Sequence, residues 1–276
     1  YLIIVVIALT SLLIFWTPFL FKIETFWGIN FENHGMETIV SNFDGLNYLS
    51  VAKTMYNSQP IYFASHFPLY PLLIRGLDVF MTGPQALLGS IIISNLLLAI
   101  GLYLFFRTFV KDQKLVVLLT TMALFFPARI LSVRGVGTSE PLFIFFILTS
   151  LAMAYQGKHW WASILGSLAV LTRSQGIFLF GAYSLALWRK PKAFTPYLLM
   201  PMALVLLFTF YEQKFGSFWA YFNSSSELHP IFFPPFLIFS NTAKWITDMW
   251  REDIIYIYLF YGLGLSLVKE KTLKIF

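Results

Sequence analysis

The sequence Asn42-Phe43-Asp44-Gly45-Leu46-Asn47-Tyr48 carries the carboxylate best placed to do chemistry. Asp44 sits between an aromatic residue and a glycine, about twenty residues after the first apolar run. A carboxylate in such a pocket can act as general base, drawing the proton from a hydroxyl as that hydroxyl attacks an activated carbon, provided that it lies within hydrogen-bond reach. The bland alternative is that Asp44 is the N-cap of a helix over 45–57, where its oxygens would accept backbone N–H groups.

Three further stretches bear on the same chemistry. In Ser65-His66-Phe67-Pro68-Leu69-Tyr70-Pro71, two prolines three residues apart fix an extended, rigid turn, with His66, Tyr70 and Arg75 nearby. The competing reading is a structural entry into a following helix, with His66 a hydrogen-bonded interface residue. His34, His66, His159 and His229 share no metal-ligand spacing. Next come Arg129 and Arg134, then Gly137-Thr138-Ser139-Glu140-Pro141-Leu142-Phe143. Thr138 or Ser139 can cap the helix that follows, and Glu140 in its first turn suits the helix dipole. Last is Leu171-Thr172-Arg173-Ser174-Gln175-Gly176. Arg129, Arg134 and Arg173 suit a lipid phosphate, which a guanidinium binds in a bidentate fork. Pairing with Glu140, Asp44 and Asp78 would account for them equally well.

The elements that must position these residues are membrane helices. Of 276 residues 58% are hydrophobic and only 12% charged, with a mean hydropathy of +0.73; soluble domains carry roughly a quarter charged residues. Apolar runs recur along the whole chain, and in lipid such runs are helical because each backbone polar group must find its partner within the segment. The pattern predicts about eight spans, near 2–21, 89–106, 114–128, 140–155, 160–172, 176–188, 195–211 and 254–268. The chain opens at Tyr1 inside an apolar run, which suggests native residues upstream. Residues 1–21 read as the first span, being longer than a signal-peptide core and lacking an A-x-A-like cleavage site.

Placing the first end in the cytoplasm leaves ten Lys/Arg and two acidic residues in the inner loops, net +8, and nine Lys/Arg with eleven acidic residues outside, net −2. That asymmetry follows the positive-inside rule, provided that Pro71–Pro84 lies against the outer surface as a juxtamembrane helix and does not cross. The overall charge of +6 is scattered over loops and reads as membrane anchoring, not as nucleic-acid binding. With no cysteine there is no disulfide framework or thiolate site. The result is one all-α domain over 1–276 with an outer-face loop at 22–88 and a second at 212–253. The latter mixes Trp219, Trp245 and Trp250 with Pro230, Pro234 and Pro235, and carries an Asn223-Ser224-Ser225 sequon.

The ordered set Phe43-Asp44-Gly45 with Tyr48, Phe67 to Arg75, Ser139-Glu140-Pro141-Leu142-Phe143 and Leu171 to Gly176 resembles the GT-C superfamily of integral membrane glycosyltransferases. Within it, the likeness is to the PIG-V-like family of the second GPI mannosyltransferase and its prokaryotic relatives. The resemblance covers about residues 1–180. It implies inverting transfer of a sugar, typically mannose, from a polyprenyl- or dolichyl-phosphate donor to an acceptor glycan, lipid or protein. Asp44 would be base or acceptor-placing group; Arg129, Arg134 and Arg173 would hold the donor phosphate; Tyr48, His66, Tyr70, Arg75 and Glu140 would contact substrate. The family pattern usually has Trp where Phe43 stands, often Phe at His66 and Tyr-Thr at Thr138-Ser139, and further spans beyond the eighth. With Asp44 the one strong carboxylate of its loop, a metal-independent reaction is expected over one using a divalent ion, and no cofactor is called for. The protein would be multi-pass in the plasma or inner membrane of a prokaryote, or in the ER membrane of a eukaryote, with its site on the outer or lumenal face. The alternatives are a non-catalytic subunit of a membrane assembly, with partner subunits, and a lipid or sugar transporter.

Overall fold

The computed structural model describes residues 2–26, 29–30, 35–125, 129–224, 259, 262–264 and 266. Among them the fold is helical apart from one antiparallel pair of two-residue strands, β1 (Thr25–Phe26) and β2 (Ile29–Asn30). Three helical segments are long and apolar enough to cross a bilayer: α1 (Leu2–Leu20), α5 (Gly83–Phe109) and the continuous stretch Pro191–Phe215. The last joins α11 (Pro191–Phe194) through a 3-10 turn to α12 (Leu199–Phe215). Four shorter apolar helices lie between them: α6 (Gln113–Phe125), α8 (Glu140–Tyr155), α9 (His159–Thr172) and α10 (Ile177–Leu187). Seven of the eight expected stretches are therefore helical, but only three reach full crossing length, so a count of eight spans is not what the fold displays. Most of the expected eighth, 254–268, and most of the second outer loop, 225–253, lie outside the described residues.

Between α1 and α5 run three short helices: α2 (Met36–Ser41), α3 (Gly45–Thr54) and α4 (Leu69–Asp78). The expected helix over 45–57 stops at Thr54, because Met55 and Tyr56 take left-handed backbone angles, φ 47° and 66°, that end it. At 1.5 Å per residue, the ten residues of α4 cover about 15 Å, half the hydrocarbon thickness. By itself this helix is too short to cross. Helix α5 begins six residues earlier than expected, at Gly83, where Thr82 and Gln85 form a reciprocal capping box and Pro84 sits in the first turn.

The core is built around α5, which packs against α1, α4, α6 and most extensively α8; α8 in turn packs on α9, and α9 on α12. Leu12, Trp16, Tyr48, Tyr70, Leu87, Ile91 and Leu142 form one buried cluster, and Ile4, Leu98, Leu102, Val116 and Leu124 another. The first half of α1 therefore meets the second half of α5, and the two helices run in opposite directions. Trp16 also ties α1 to the segment that enters α8, donating its indole N–H to the carbonyl of Gly135 at 2.6 Å. A further apolar cluster holds Tyr56, Phe67, Phe208 and Tyr211 together. It docks α12 and α13 (Ala220–Ser224) against the segment that precedes α4.

Candidate functional site

Asp44 lies at the N-cap position of α3, with φ −94° and ψ 13°, yet its side chain makes no capping hydrogen bond. Such bridge-region angles are sparsely allowed and often mark active-site residues. The residue before it, Phe43, is held at φ 50°, a conformation costly for a bulky side chain by about 1 kcal/mol or more. The backbone is thus turned sharply at Phe43-Asp44, and the carboxylate points away from the helix it would otherwise cap. Its side chain remains 52% exposed and meets His66 Nε2 at 3.5 Å, with Asn47 Nδ2 donating to the same oxygen, Oδ1, at 3.4 Å. Burial pushes the Asp44 carboxyl up, but the hydrogen bonds and charges of His66, Asn47 and Arg173 outweigh it and hold the group below its ordinary value. It is an ionised acceptor at neutral pH.

Gly45 follows because nothing larger fits. A Cβ there would run into the carbonyl of Val40, and a Cβ on Gly137 would come within 2.7 Å of the Gly45 α-carbon. This close backbone approach clamps the start of α3 to the segment that enters α8. Tyr48, one turn into α3, then reaches Ser139 with a 2.9 Å hydrogen bond. Ser139 also accepts from Arg173 Nη1 at 3.3 Å, and Arg173 pairs with Glu140 at 2.6 Å. Arg173 stands at the C-cap of α9 and Glu140 in the first turn of α8. Burial works against the Arg173 charge, but Glu140, Tyr48 and Asp44 more than compensate and raise its pKa. The pair stays charged.

Four separate stretches of the sequence thus supply one connected group: Asp44, His66, Tyr48, Ser139, Glu140 and Arg173. Behind it the aromatic rings of His66 and Tyr70 stand edge-on to Tyr48, with centroids 5.3 and 4.9 Å away, and the Tyr70 hydroxyl is 2.9 Å from Ser90 Oγ on α5. Tyr48, His66 and Tyr70 are buried. They support the exposed carboxylate from below and do not themselves form its solvent-facing wall. Burial pushes the Tyr48 and Tyr70 phenols well above their ordinary range, so both remain protonated donors.

Two of the expected site residues lie elsewhere. Arg75 Nη1 donates to the carbonyls of Ala52 and Lys53 at 3.2 and 3.5 Å, closing the C-terminal end of α3. The ten residues of α3 separate that end from Asp44 by about 15 Å. Arg134, the last residue of α7 (Arg129–Arg134), turns inward and is fully buried. It donates to Asn95 Oδ1 at 2.7 Å and Ser11 Oγ at 2.5 Å, while Asn95 returns a bond to the Arg134 carbonyl. Ser11 is the midpoint of α1, so this guanidinium ties three helices together in the interior, and the placement of Arg134 at the outer surface is corrected. Arg129 opens α7, and its side chain lies outside the described set.

Sequence reasoning gave no role to Tyr62, whose hydroxyl receives Asn47 Nδ2 at 3.0 Å beside Asp44, nor to the polar pair Ser11 and Asn95 inside apolar helices. The signal for the latter was present: an amide or hydroxyl in a membrane run needs a partner. No family model matches the chain, and no curated protein or solved structure does so either.

Proposed function

We propose that this chain is a GT-C-like glycosyltransferase that moves a sugar, mannose in the first instance, from a polyprenyl-phosphate donor to an acceptor hydroxyl with inversion at the anomeric carbon. The observation that carries the reading is the Asp44 carboxylate, which occupies an N-cap position without capping and stays ionised and half exposed beside His66. In the reaction the acceptor oxygen bonds to the anomeric carbon as the carbon–oxygen bond to phosphate breaks. The lipid phosphate leaves with the electron pair, and Asp44 takes the acceptor proton. In this reading Arg173 is the cation that would stabilise the charge developing on the leaving phosphate. No step needs a metal ion.

The level of the site in the chain supports a lipid-linked donor. The helices whose ends carry Glu140 and Arg173 have 16 and 14 residues, about 24 and 21 Å, against a hydrocarbon layer of about 30 Å. Their opposite ends meet near Lys158. Beside the 27 residues of α5, about 40 Å long, these lengths fit a cluster set at or just below a bilayer border, the level of a lipid phosphate, if the helices cross as proposed.

One observation favours the competing reading of a non-catalytic subunit: Arg173 and Glu140 satisfy each other. Transport is disfavoured, since the deep charge, Arg134, is enclosed and lines no exposed path. The test is donor turnover by purified protein supplied with radiolabelled polyprenyl-phosphate mannose, comparing wild type with Asp44→Asn. Loss of a general base costs roughly 100-fold or more, so turnover in the variant is expected near background while the protein still folds. A wild type inactive with mannose, glucose and arabinose donors would overturn the reading.

A further inference from the structure

The contacts of His66 specify which oxygen of Asp44 is reactive. Ser65 has a single hydroxyl proton, and it is donated to the Tyr62 carbonyl at 2.8 Å. The Ser65 oxygen is then left to accept from His66 Nδ1, 3.0 Å away. With Nδ1 a donor, Nε2 can face the ionised carboxylate at 3.5 Å favourably only if it also carries a proton. A bare nitrogen lone pair there would oppose the carboxylate. The chain of donors therefore runs one way, ending on Asp44 Oδ1, the oxygen that Asn47 also addresses. Among the described residues no side chain addresses Oδ2.

We propose that His66, with its protons placed by Ser65, is the positioning residue for Asp44: by donating Nε2–H to Oδ1 it leaves Oδ2 as the oxygen that meets the acceptor hydroxyl. This rests on the glycosyltransferase reading and adds an atom-level assignment to it. The acceptor proton passes to Oδ2 as the new carbon–oxygen bond forms, and Asp44 then returns it to water. His66 is 4% exposed and does not touch substrate. Tyr48 edge-on, Tyr62 and Phe63 surround its ring, and the Tyr56 hydroxyl donates to its carbonyl at 2.6 Å. The charged groups nearest to the dyad are Arg173 and Glu140, reached through Tyr48 and Ser139.

Infrared difference spectroscopy in nanodiscs tests it, following the protonated-carboxyl band assigned by its loss in Asp44→Asn. In wild type that band grows in only below the ordinary carboxylate range, because its neighbours hold the Asp44 carboxyl below its usual value. In His66→Phe, burial acts on Asp44 without its partner, and the band is expected at least about one pH unit higher. His66→Gln, which keeps an N–H but no charge, and Ser65→Ala are expected to shift it less. They decide the matter if His66→Phe does not fold. In parallel, kcat should fall about tenfold or more in His66→Phe with the donor KM unchanged. An Asp44 titration identical in all four proteins overturns the proposal whether or not turnover is seen. A wild type without turnover but with the expected shifts overturns the transferase reading and leaves the His66–Asp44 contact established.

Discussion

At the scale of single residues, the site is a contest for one guanidinium. Arg173 is 29% exposed and held by Glu140 at 2.6 Å, so on the proposed function a lipid phosphate would have to share or displace that carboxylate. A charge-assisted hydrogen bond contributes about 1.5–3 kcal/mol, and this sets the expected effects of changing each partner. Arg173→Gln should raise the donor KM roughly tenfold or more, whereas Glu140→Gln should leave it unchanged or lower it, since the competitor for the guanidinium is gone. Steady-state kinetics over a donor titration separates these outcomes. If Glu140→Gln and Arg173→Gln both raise KM to the same extent, the pair works as a structural unit and Arg173 is not the phosphate ligand. The pair also explains why the sequence left two readings open for its arginines. Spacing shows that Arg173 and Glu140 are polar residues near helix ends, but not whether they face each other.

At the scale of elements, the site depends on two glycines that let α3 and the entry to α8 touch. The Gly137 position offers a Cβ only 2.7 Å from the Gly45 α-carbon and 3.2 Å from Leu87. Gly137→Ala must push α3 away from Ser139, with a cost of about 1–3 kcal/mol for overpacking and a loosened Tyr48–Ser139 bond. Gly181 is the internal control: it sits inside α10 with nothing within 4 Å of its Cβ position, and alanine there should be neutral or stabilising by up to about 1 kcal/mol. Thermal unfolding in detergent should show a lower midpoint for Gly137→Ala alone. Equal midpoints would show that the clamp is not what holds the two segments together. Much of this level was legible from sequence. The apolar runs gave seven helices at their places, and the Phe-Asp-Gly, Ser-Glu-Pro and Thr-Arg-Ser stretches do converge. Helix ends were less legible, because Met55 and Tyr56 stop α3 through left-handed angles that their residue types do not announce. Arg134 was misplaced for a different reason. Its position near a loop says nothing of the direction of its side chain, and the partners that draw it inward, Ser11 and Asn95, are 123 and 39 residues away.

At the scale of the whole molecule, the helices alternate in direction, and the two ends of the bundle differ in charge. The loops opposite the Asp44 cluster hold Arg107, Lys111, Lys114, Lys158, Arg189, Lys190 and Lys192 against Asp112 alone. At the end of the bundle that carries the cluster, with Arg134 left out as an interior residue, the described acidic and basic side chains nearly balance: Lys22, Lys53, Arg75, Arg173 and Lys214 against Glu24, Glu37, Asp44, Asp78, Glu140 and Glu212. The orientation we propose from the positive-inside rule has the first end in the cytoplasm and Asp44 on the outer or lumenal face, which is the setting of the proposed lipid-linked donor. The absence of cysteine from the sequence allows a direct test with single introduced thiols at two exposed positions, Lys53→Cys on the Asp44 end and Gln156→Cys at the end of α8. In sealed vesicles of known orientation, a membrane-impermeant maleimide should label Lys53→Cys from the outer face at once and Gln156→Cys only after permeabilisation. Reversed labelling would place Asp44 in the cytoplasm, where nucleotide sugars are the ordinary donors, and would remove the argument for a polyprenyl phosphate while leaving the helix bundle intact. Labelling of both thiols from one side would go further, because α8 and the helices around it would then not cross, and the positive loops would need another explanation than membrane orientation.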